Sequence, residues 1–299
     1  MAFLPQTIES ILTSINQSTH KSDINIIIKD GGSDTPQEYI DYVNTLSNCG
    51  VPITLLRRDY SDPERNVIET TNAATGEYVW IFSDDDIMLP EAIETVFNNL
   101  PIYDYIITNR SIVSKDLSTE LCNNYFQKMK NDSRYYKNVD SNIVEYQCAK
   151  DIMKDVGLHD NFCFISTSIV KKSLFSAVDY KEYSQHNSRW SHTAILVEAL
   201  HNNRCALLKN VLVKQRQYNQ SPDIGIHIGF NTLNLFKELN KRGLIDYKEI
   251  EYILEDGRNL MDIIIYWLHQ QWDAASPEDK ALAKEMLEAQ ESGKYAGAV

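Results

Sequence analysis

The chain has 299 residues, 43% of them hydrophobic, enough to bury the core of one large domain or two small ones. Its 29 basic and 42 acidic side chains leave a formal charge of −13. That excess argues against nucleic-acid binding, which needs a basic stripe, and against tight electrostatic attachment to an anionic membrane.

The first element is an amphipathic helix over 3–17, because Leu4, Ile8, Ile11, Leu12 and Ile15 share one face. Ile24–Ile28 is a short apolar run of the kind found in buried parallel strands. It leads into the tight turn Asp30-Gly31-Gly32-Ser33-Asp34 and a helix over 36–46. A strand is expected over 52–57. Ser61 and Glu64 then have capping-box spacing around Pro63, opening a helix that Gly76 follows. Tyr78–Ser83 is a strand, 90–100 a helix and Tyr103–Thr108 a strand. This alternation predicts an α/β fold with a mostly parallel sheet flanked by helices.

Residues 111–142 are polar and aperiodic and are expected to form a long loop. Beyond it the pattern predicts a helix over 145–156, a strand over 162–170, a helix over 190–201 and a strand over Cys205–Val213. A helical tail comes next, over 223–241, 246–271 and 277–291. These elements divide into a first half, 1–110, a second half, 111–221, and a helical extension, 222–299. No run nears the ~18 apolar residues of a membrane-spanning helix, and Met1–Gln6 lacks the basic and apolar regions of a secretory signal. Cys49, Cys122, Cys148, Cys163 and Cys205 are scattered without a C-x-x-C pair, as in reduced cytoplasmic proteins.

The chemistry concentrates at Asp84-Asp85-Asp86, directly after the strand ending at Ser83. Adjacent carboxylates raise one another's pKa unless solvent or a cation relieves them. Magnesium and similar hard ions are held by one or two carboxylates plus phosphate oxygens. Open α/β sheets bind ligands beyond the carboxyl ends of their strands, where this triplet lies. The simpler reading is an acidic loop leading into the next helix.

Taken together, Phe3-Leu4-Pro5-Gln6-Thr7-Ile8, the Asp30–Asp34 turn, Thr75-Gly76-Glu77-Tyr78 and Ser83–Asp86 with Met88-Leu89-Pro90 resemble an inverting family-2 glycosyltransferase of GT-A fold. The match in order and spacing runs from Phe3 to Leu100, and Trp190-Ser191-His192 adds a similarity to abequosyltransferase-like O-antigen enzymes. The resemblance implies transfer of a hexosyl or deoxyhexosyl unit from a nucleotide sugar, with Mn2+ or Mg2+, to a saccharide or polyprenol-linked saccharide. The setting would be surface polysaccharide synthesis in the cytoplasm, at most in peripheral contact with the inner membrane face.

The resemblance makes Asp85 the first metal ligand, with Asp86 in support. Asp30, Gly31, Gly32, Arg65, Ser83, Asp84 and Arg216 would bind the donor, and Trp190 the acceptor. Arg57 and Arg58 are further phosphate candidates, and His227 a further metal or phosphate contact. The usual Glu-Asp general base has no carboxylate counterpart in Asn187–Thr193, so His192 is the candidate base, followed by Asp160 and Glu198. Ser83 stands where the family usually has an aspartate, which removes one charge.

Similar enzymes also begin with a strand and a Pro-x-Tyr-Asn-like turn, whereas this sequence starts inside the connection to the first helix. Two neighbouring strands are then expected to lack ladder partners, at a cost to activity. A non-catalytic nucleotide-sugar binder is the alternative reading. A phosphohydrolase or nucleotidyltransferase would use the same carboxylates, but its early nucleophilic Asp or Gly-rich loop with Lys or Arg is absent from the sequence. The apolar segment Met261–Trp272 is expected to pack on the domain, with a homodimer interface or bilayer contact as alternatives.

Overall fold

A computed structural model describes residues 3–32, 36–57, 63–126, 141–158, 162–184, 190–217 and 231–246, and parts of the tail between 249 and 288. The first half runs α1 (Leu4–Gln17), β1 (Ile26–Asp30), α2 (Pro36–Thr45), β2 (Ile53–Arg57), α3 (Pro63–Ala73), β3 (Tyr78–Trp80), β4 (Ile87–Met88), α4 (Ala92–Phe97) and β5 (Tyr105–Val113). Then come β6 (Glu120–Cys122), β7 (Ile143–Tyr146), α5 (Ala149–Val156), β8 (Ser168–Lys171), α6 (Lys172–Ala177), α7 (Lys181–Ser184), α8 (Ser191–Ala199) and β9 (Cys205–Arg216). The tail holds α9 (Thr232–Lys241), the short hairpin β10 (Leu254–Glu255) and β11 (Arg258–Asn259), and α10 (Leu260–Gln271).

The α/β architecture is the expected one, but the sheet is mixed. β1 and β2 pair in parallel, as do β5 and β9. β8 runs antiparallel to both β3 and β5, and β9 antiparallel to β4 and β7. The main sheet has the path β3-β8-β5-β9-β4. Among the described residues β1 pairs only with β2 and β3 only with β8, so each keeps one unpaired edge.

Two layers of core arise from the alternation of side chains along a strand. Ile106 faces a cluster containing Leu4, Ile8 and Ile15 of α1 and Ile93 and Val96 of α4. Tyr105 and Ile107 face the other, built from α5, α8, α9 and α10. The predicted α1 stripe is the one used: Leu4, Ile8 and Ile15 are buried, and Ile11 and Leu12 pack partly against them.

Two expectations change. The loop expected over 111–142 is shorter, because β5 continues to Val113 and turns into β6. Its polar residues Thr108, Asn109, Arg110 and Ser111 are buried beside β9, where Asn109 bonds the Lys209 carbonyl and Arg110 bonds Gln215, whereas Thr108 Oγ1 and Ser111 Oγ find no partner among the described residues. Within the helix expected over 246–271, Glu249 is helical, the β10–β11 hairpin intervenes, and α10 begins at Leu260.

Candidate active site

The aspartate triplet is held from beneath by α1. Thr7 Oγ1 donates to the carbonyls of both Asp84 (2.9 Å) and Asp86 (2.8 Å), and Met88 N donates to Ser10 Oγ (3.0 Å). Arg216, at the end of β9, closes the other side. Its backbone N donates to Asp86 Oδ1 (3.0 Å) and its Nε to the Asp85 carbonyl (2.7 Å). Its remaining nitrogens reach the Lys115 carbonyl and Gln6 Oε1. With its guanidinium so engaged and 4% of its surface exposed, Arg216 organises the triplet. Arg216, expected beyond a strand ending at Val213, is instead the last residue of β9.

The three carboxylates differ. Asp86 is buried, and burial pushes its carboxyl up to about 7, with the Asp85 charge adding to the rise. Ser166, the Arg216 amide and Arg110 pull the other way. Asp86 Oδ2 has no hydrogen-bond partner. Asp84 is exposed at the surface, yet the surrounding protein mass and then the Asp85 charge raise its carboxyl above the ordinary range. Asp85 Oδ1 accepts from Ser83 Oγ, and Ser83 N donates to Ser166 Oγ (2.9 Å). Among the described residues no cluster of three or more His, Cys, Asp and Glu side chains forms a metal cage. Asp85 and the exposed Asp84 beside it are the oxygen donors that a hard ion takes when one or two carboxylates and phosphate oxygens make up its shell.

The Asp30 turn forms the second part of the site. Asp30 is 4% exposed; its Oδ1 accepts from Gly32 N (3.2 Å) and its Oδ2 from Arg57 Nε (3.1 Å). Gly32 has φ 107°, a left-handed conformation that favours glycine. Gly31 is required for a different reason: a Cβ there would lie 2.1 Å from the Asn66 amide nitrogen on α3. Tyr39 on α2 feels the charges of both parts of the site. Burial raises its phenol, and the charges of Asp84 and Asp30 both add to that rise. Arg65 is half exposed on α3, where its Nε donates to Glu69 Oε1 (2.8 Å). A cavity of about 330 Å³ behind the Asp30 turn is lined by Arg57, Lys29, Glu69 and Tyr180 and includes no triplet residue.

In the second half, His192 lies buried at the start of α8. Its backbone N (3.1 Å) and Nδ1 (2.6 Å) both donate to Glu64 Oε2 on α3. Its Nε2 lies 3.4 Å from the Cys163 carbonyl and 3.3 Å from Thr193 Oγ1. Burial opposes the charge on this ring, but the Glu64 carboxylate outweighs it, by charge and hydrogen bond, and holds the imidazole above its ordinary value. Trp190 is partly buried against the core, edge-on to His192 at 6.5 Å. Glu198 Oε2 takes the Tyr183 hydroxyl and Arg242 Nη1 (3.1 Å). Asp160, Arg58 and His227 lie outside the described residues.

A model of the family described as "Glycosyl transferase family 2" matches residues 2–151, half of the chain. The chain belongs to glycosyl transferase family 2. Over 207 residues the chain is 28% identical to abequosyltransferase RfbV of Salmonella typhimurium, covering 67% of this chain and 59% of that protein. The match thus spans under two thirds of this relative. Among solved structures, S. aureus TarS 1-349 in complex with UDP-GlcNAc superposes with a TM-score of 0.58 at 10% identity, covering 98% of this chain and 77% of that one. Mannosyltransferase PcManGT from Pyrobaculum calidifontis, in complex with GDP-Man and Mn2+, gives 0.53 at 13% identity, covering 96% and 77%. These likenesses establish the GT-A glycosyltransferase fold.

For this family-2 member, sequence reading missed four residues around the site. Thr7 and Gln6 sit within the amphipathic pattern of α1, but Thr7 donates to the triplet carbonyls and Gln6 accepts from Arg216. Asn66 is adjacent to Arg65, and a glycine pair in the Asp30 turn was its only trace. Glu64, read as a capping-box residue, turns its Oε2 to His192.

Proposed function

We propose that the protein is a metal-assisted, inverting glycosyltransferase that takes its donor from a nucleoside-diphosphate sugar. The observation that carries this reading is the aspartate triplet beyond β3, held by Thr7 of α1, with Tyr42 of α2, the helix that follows the Asp30 turn, donating to the Pro5 carbonyl of the same α1. The Asp30–Arg57 pair and Gly32 would take the nucleoside, Gly31 and Asn66 would shape its approach, and Arg65 would pair with phosphate. Asp85 would hold a divalent ion with Asp84 beside it, while Asp86, walled in by Arg216 and Thr7, keeps the pair in place. Such an ion, when bound, neutralises charge on the leaving diphosphate.

For the acceptor side we propose a saccharide, free or polyprenol-linked, in O-antigen-type polysaccharide synthesis. The sequence relation to an abequosyltransferase supports this, and favours a deoxyhexose such as abequose as the transferred unit. Inversion requires a base for the acceptor hydroxyl. His192 is buried, and its Nε2 faces the Cys163 carbonyl and Thr193 Oγ1, so it is poorly placed to receive that proton. Asp160 becomes the favoured base: it lies three residues before Cys163, whose carbonyl meets His192, and two before the buried Phe162.

Thermal-shift measurements with UDP, GDP, CDP and dTDP and their sugars, with and without Mn2+, test this reading. At least one diphosphate should stabilise the protein, more so with Mn2+, and Asp85→Ala should abolish the metal-dependent part. Slow donor hydrolysis should accompany binding and be lost in Asp160→Asn. Binding without hydrolysis would favour a non-catalytic nucleotide-sugar binder, and no binding by any diphosphate would sink the donor reading.

A further inference from the structure

Helix α8 takes an acceptor for its first turn from a distant helix. Its N-cap residue, Trp190, makes no side-chain capping bond, and its first turn holds no acidic residue. Helix starts expose backbone N–H groups and favour negative charge. Here the acceptor comes from 128 positions away: Glu64 Oε2 receives the backbone N–H of His192 as well as its ring Nδ1. Both side chains are nearly buried, 10% exposed for Glu64 and 4% for His192. Glu64 belongs to the first turn of α3, and Ile68 on that helix shares a core with Ala194 and Ile195 of α8.

Three pieces of the site converge on this contact. On α3, Glu64 is followed by Arg65 and by Asn66, which lies against Gly31 of the Asp30 turn. On the α8 side, Trp190 precedes His192 and packs edge-on to it. The third piece is the segment 163–166: its Cys163 carbonyl meets His192 Nε2, and its Ser166 hydroxyl holds Ser83 N before the triplet.

We propose that Glu64 and His192 form a positioning clasp that couples the donor-side helix α3 to α8, so that an occupied donor site orders the start of α8. This rests on the donor reading given above. Neither residue needs to touch substrate. A donor seated on the Asp30 turn bears on Asn66 and the first turn of α3, and the doubly bonded Glu64 carboxylate transmits that restraint to the first turn of α8.

Hydrogen exchange read by mass spectrometry, on peptides covering 63–70 and 190–197, tests the clasp. The probe is whichever of UDP, GDP, CDP or dTDP, with Mn2+, stabilises the wild-type protein most. In wild type the nucleotide should slow exchange in 190–197 by about threefold or more, beyond its effect on 63–70. In Glu64→Gln the nucleotide should still bind with affinity within about threefold of wild type, while the protection of 190–197 disappears. A clasp that merely supports the fold would raise basal exchange but leave the nucleotide-dependent difference, and that result overturns the proposal. So does a wild type that binds nucleotide without protecting 190–197. If Glu64→Gln fails to fold, Glu64→Leu/His192→Leu, which removes both buried charges together, carries the same readout. Should no diphosphate bind wild type, the donor reading fails separately. The clasp is then judged without ligand: Glu64→Gln must speed exchange in both peptides together, and a change confined to one overturns it.

Discussion

At Gly31 a methyl group would meet the Asn66 amide nitrogen at 2.1 Å, closer than any real contact, so one of the two must move. Gly31→Ala is therefore expected to cost about 1–3 kcal/mol of stability, the usual range for overpacking, and to weaken nucleotide binding. Adding Asn66→Ala should recover most of the stability loss measured against Asn66→Ala alone, since contacting residues are not additive. Thr7 offers one hydroxyl to two carbonyls of the triplet. Thr7→Val leaves them short of a donor, at about 1–3 kcal/mol; the melting temperature should fall, and the Mn2+ enhancement of nucleotide binding should shrink with it. The His192–Glu64 pair makes stability depend on pH in a defined direction. The folded protein holds the imidazole above its ordinary value, so it binds a proton more tightly than the unfolded chain. That contribution is complete below the unfolded pKa, about 6.5, and is lost as pH rises through the folded value. Urea unfolding of wild type and His192→Gln across this range should show a stability gap that narrows as pH rises; a gap that widens would contradict the ion pair.

At the scale of elements, β9 determines how the triplet is held. Its parallel register with β5 shifts twice, between Thr108 and Arg110, where the Asn109 side chain bonds the Lys209 carbonyl. Such irregularities bend a strand and re-aim the side chains beyond the bend. The strand then pairs with β4 through Val213 and Lys214 and delivers Arg216 beneath Asp85 and Asp86. Arg216→Lys keeps the charge but loses the fork of donors. It should lower the melting temperature and abolish the Mn2+-dependent part of nucleotide stabilisation while sparing the part that needs no metal. This element also shows where sequence reading stops. The apolar run of β9 ends at Val213, so Arg216 looked like a loop residue; the pairing of Ser111, Ile112 and Val113 with Lys214, Gln215 and Arg216 extends the strand. Strand direction was equally hidden, because a short apolar run does not say whether its neighbour is parallel. Asp30, Gly31, Gly32 and Ser83–Asp86 were legible, because turn chemistry and a charged strand end are local. Glu64 and His192 were not legible as a pair, because only the tertiary fold brings residues 128 positions apart together.

For the whole molecule, the question is whether the apolar C-terminal helices belong to the core or to a partner. Leu233, Leu235, Phe236 and Leu239 of α9 and Leu260 and Ile264 of α10 are buried in the same cluster as Ile195 and Leu196 of α8. Polar ties run alongside: Arg242 bonds Glu198 and lies over the Tyr183 ring, and Lys150 and Lys154 on α5 both pair with Glu249. Tyr266 on α10 is the contrast, 54% exposed. No helix among the described residues is long and apolar enough to cross a membrane. If α9 and α10 complete the core, Phe236→Ala should cost about 3–5 kcal/mol in denaturant unfolding, the range for a fully buried aromatic. Tyr266→Ala should stay within about 0.5 kcal/mol, as exposed substitutions do. A bilayer or dimer role for α10 would reverse the weight of these two residues in a second assay. Tyr266→Ala would then reduce co-sedimentation with anionic lipid vesicles, or the dimer fraction in analytical ultracentrifugation. The packing of α10 predicts that it changes neither, because Leu260, Ile263 and Ile264, among the described apolar side chains of this helix, are already turned inward.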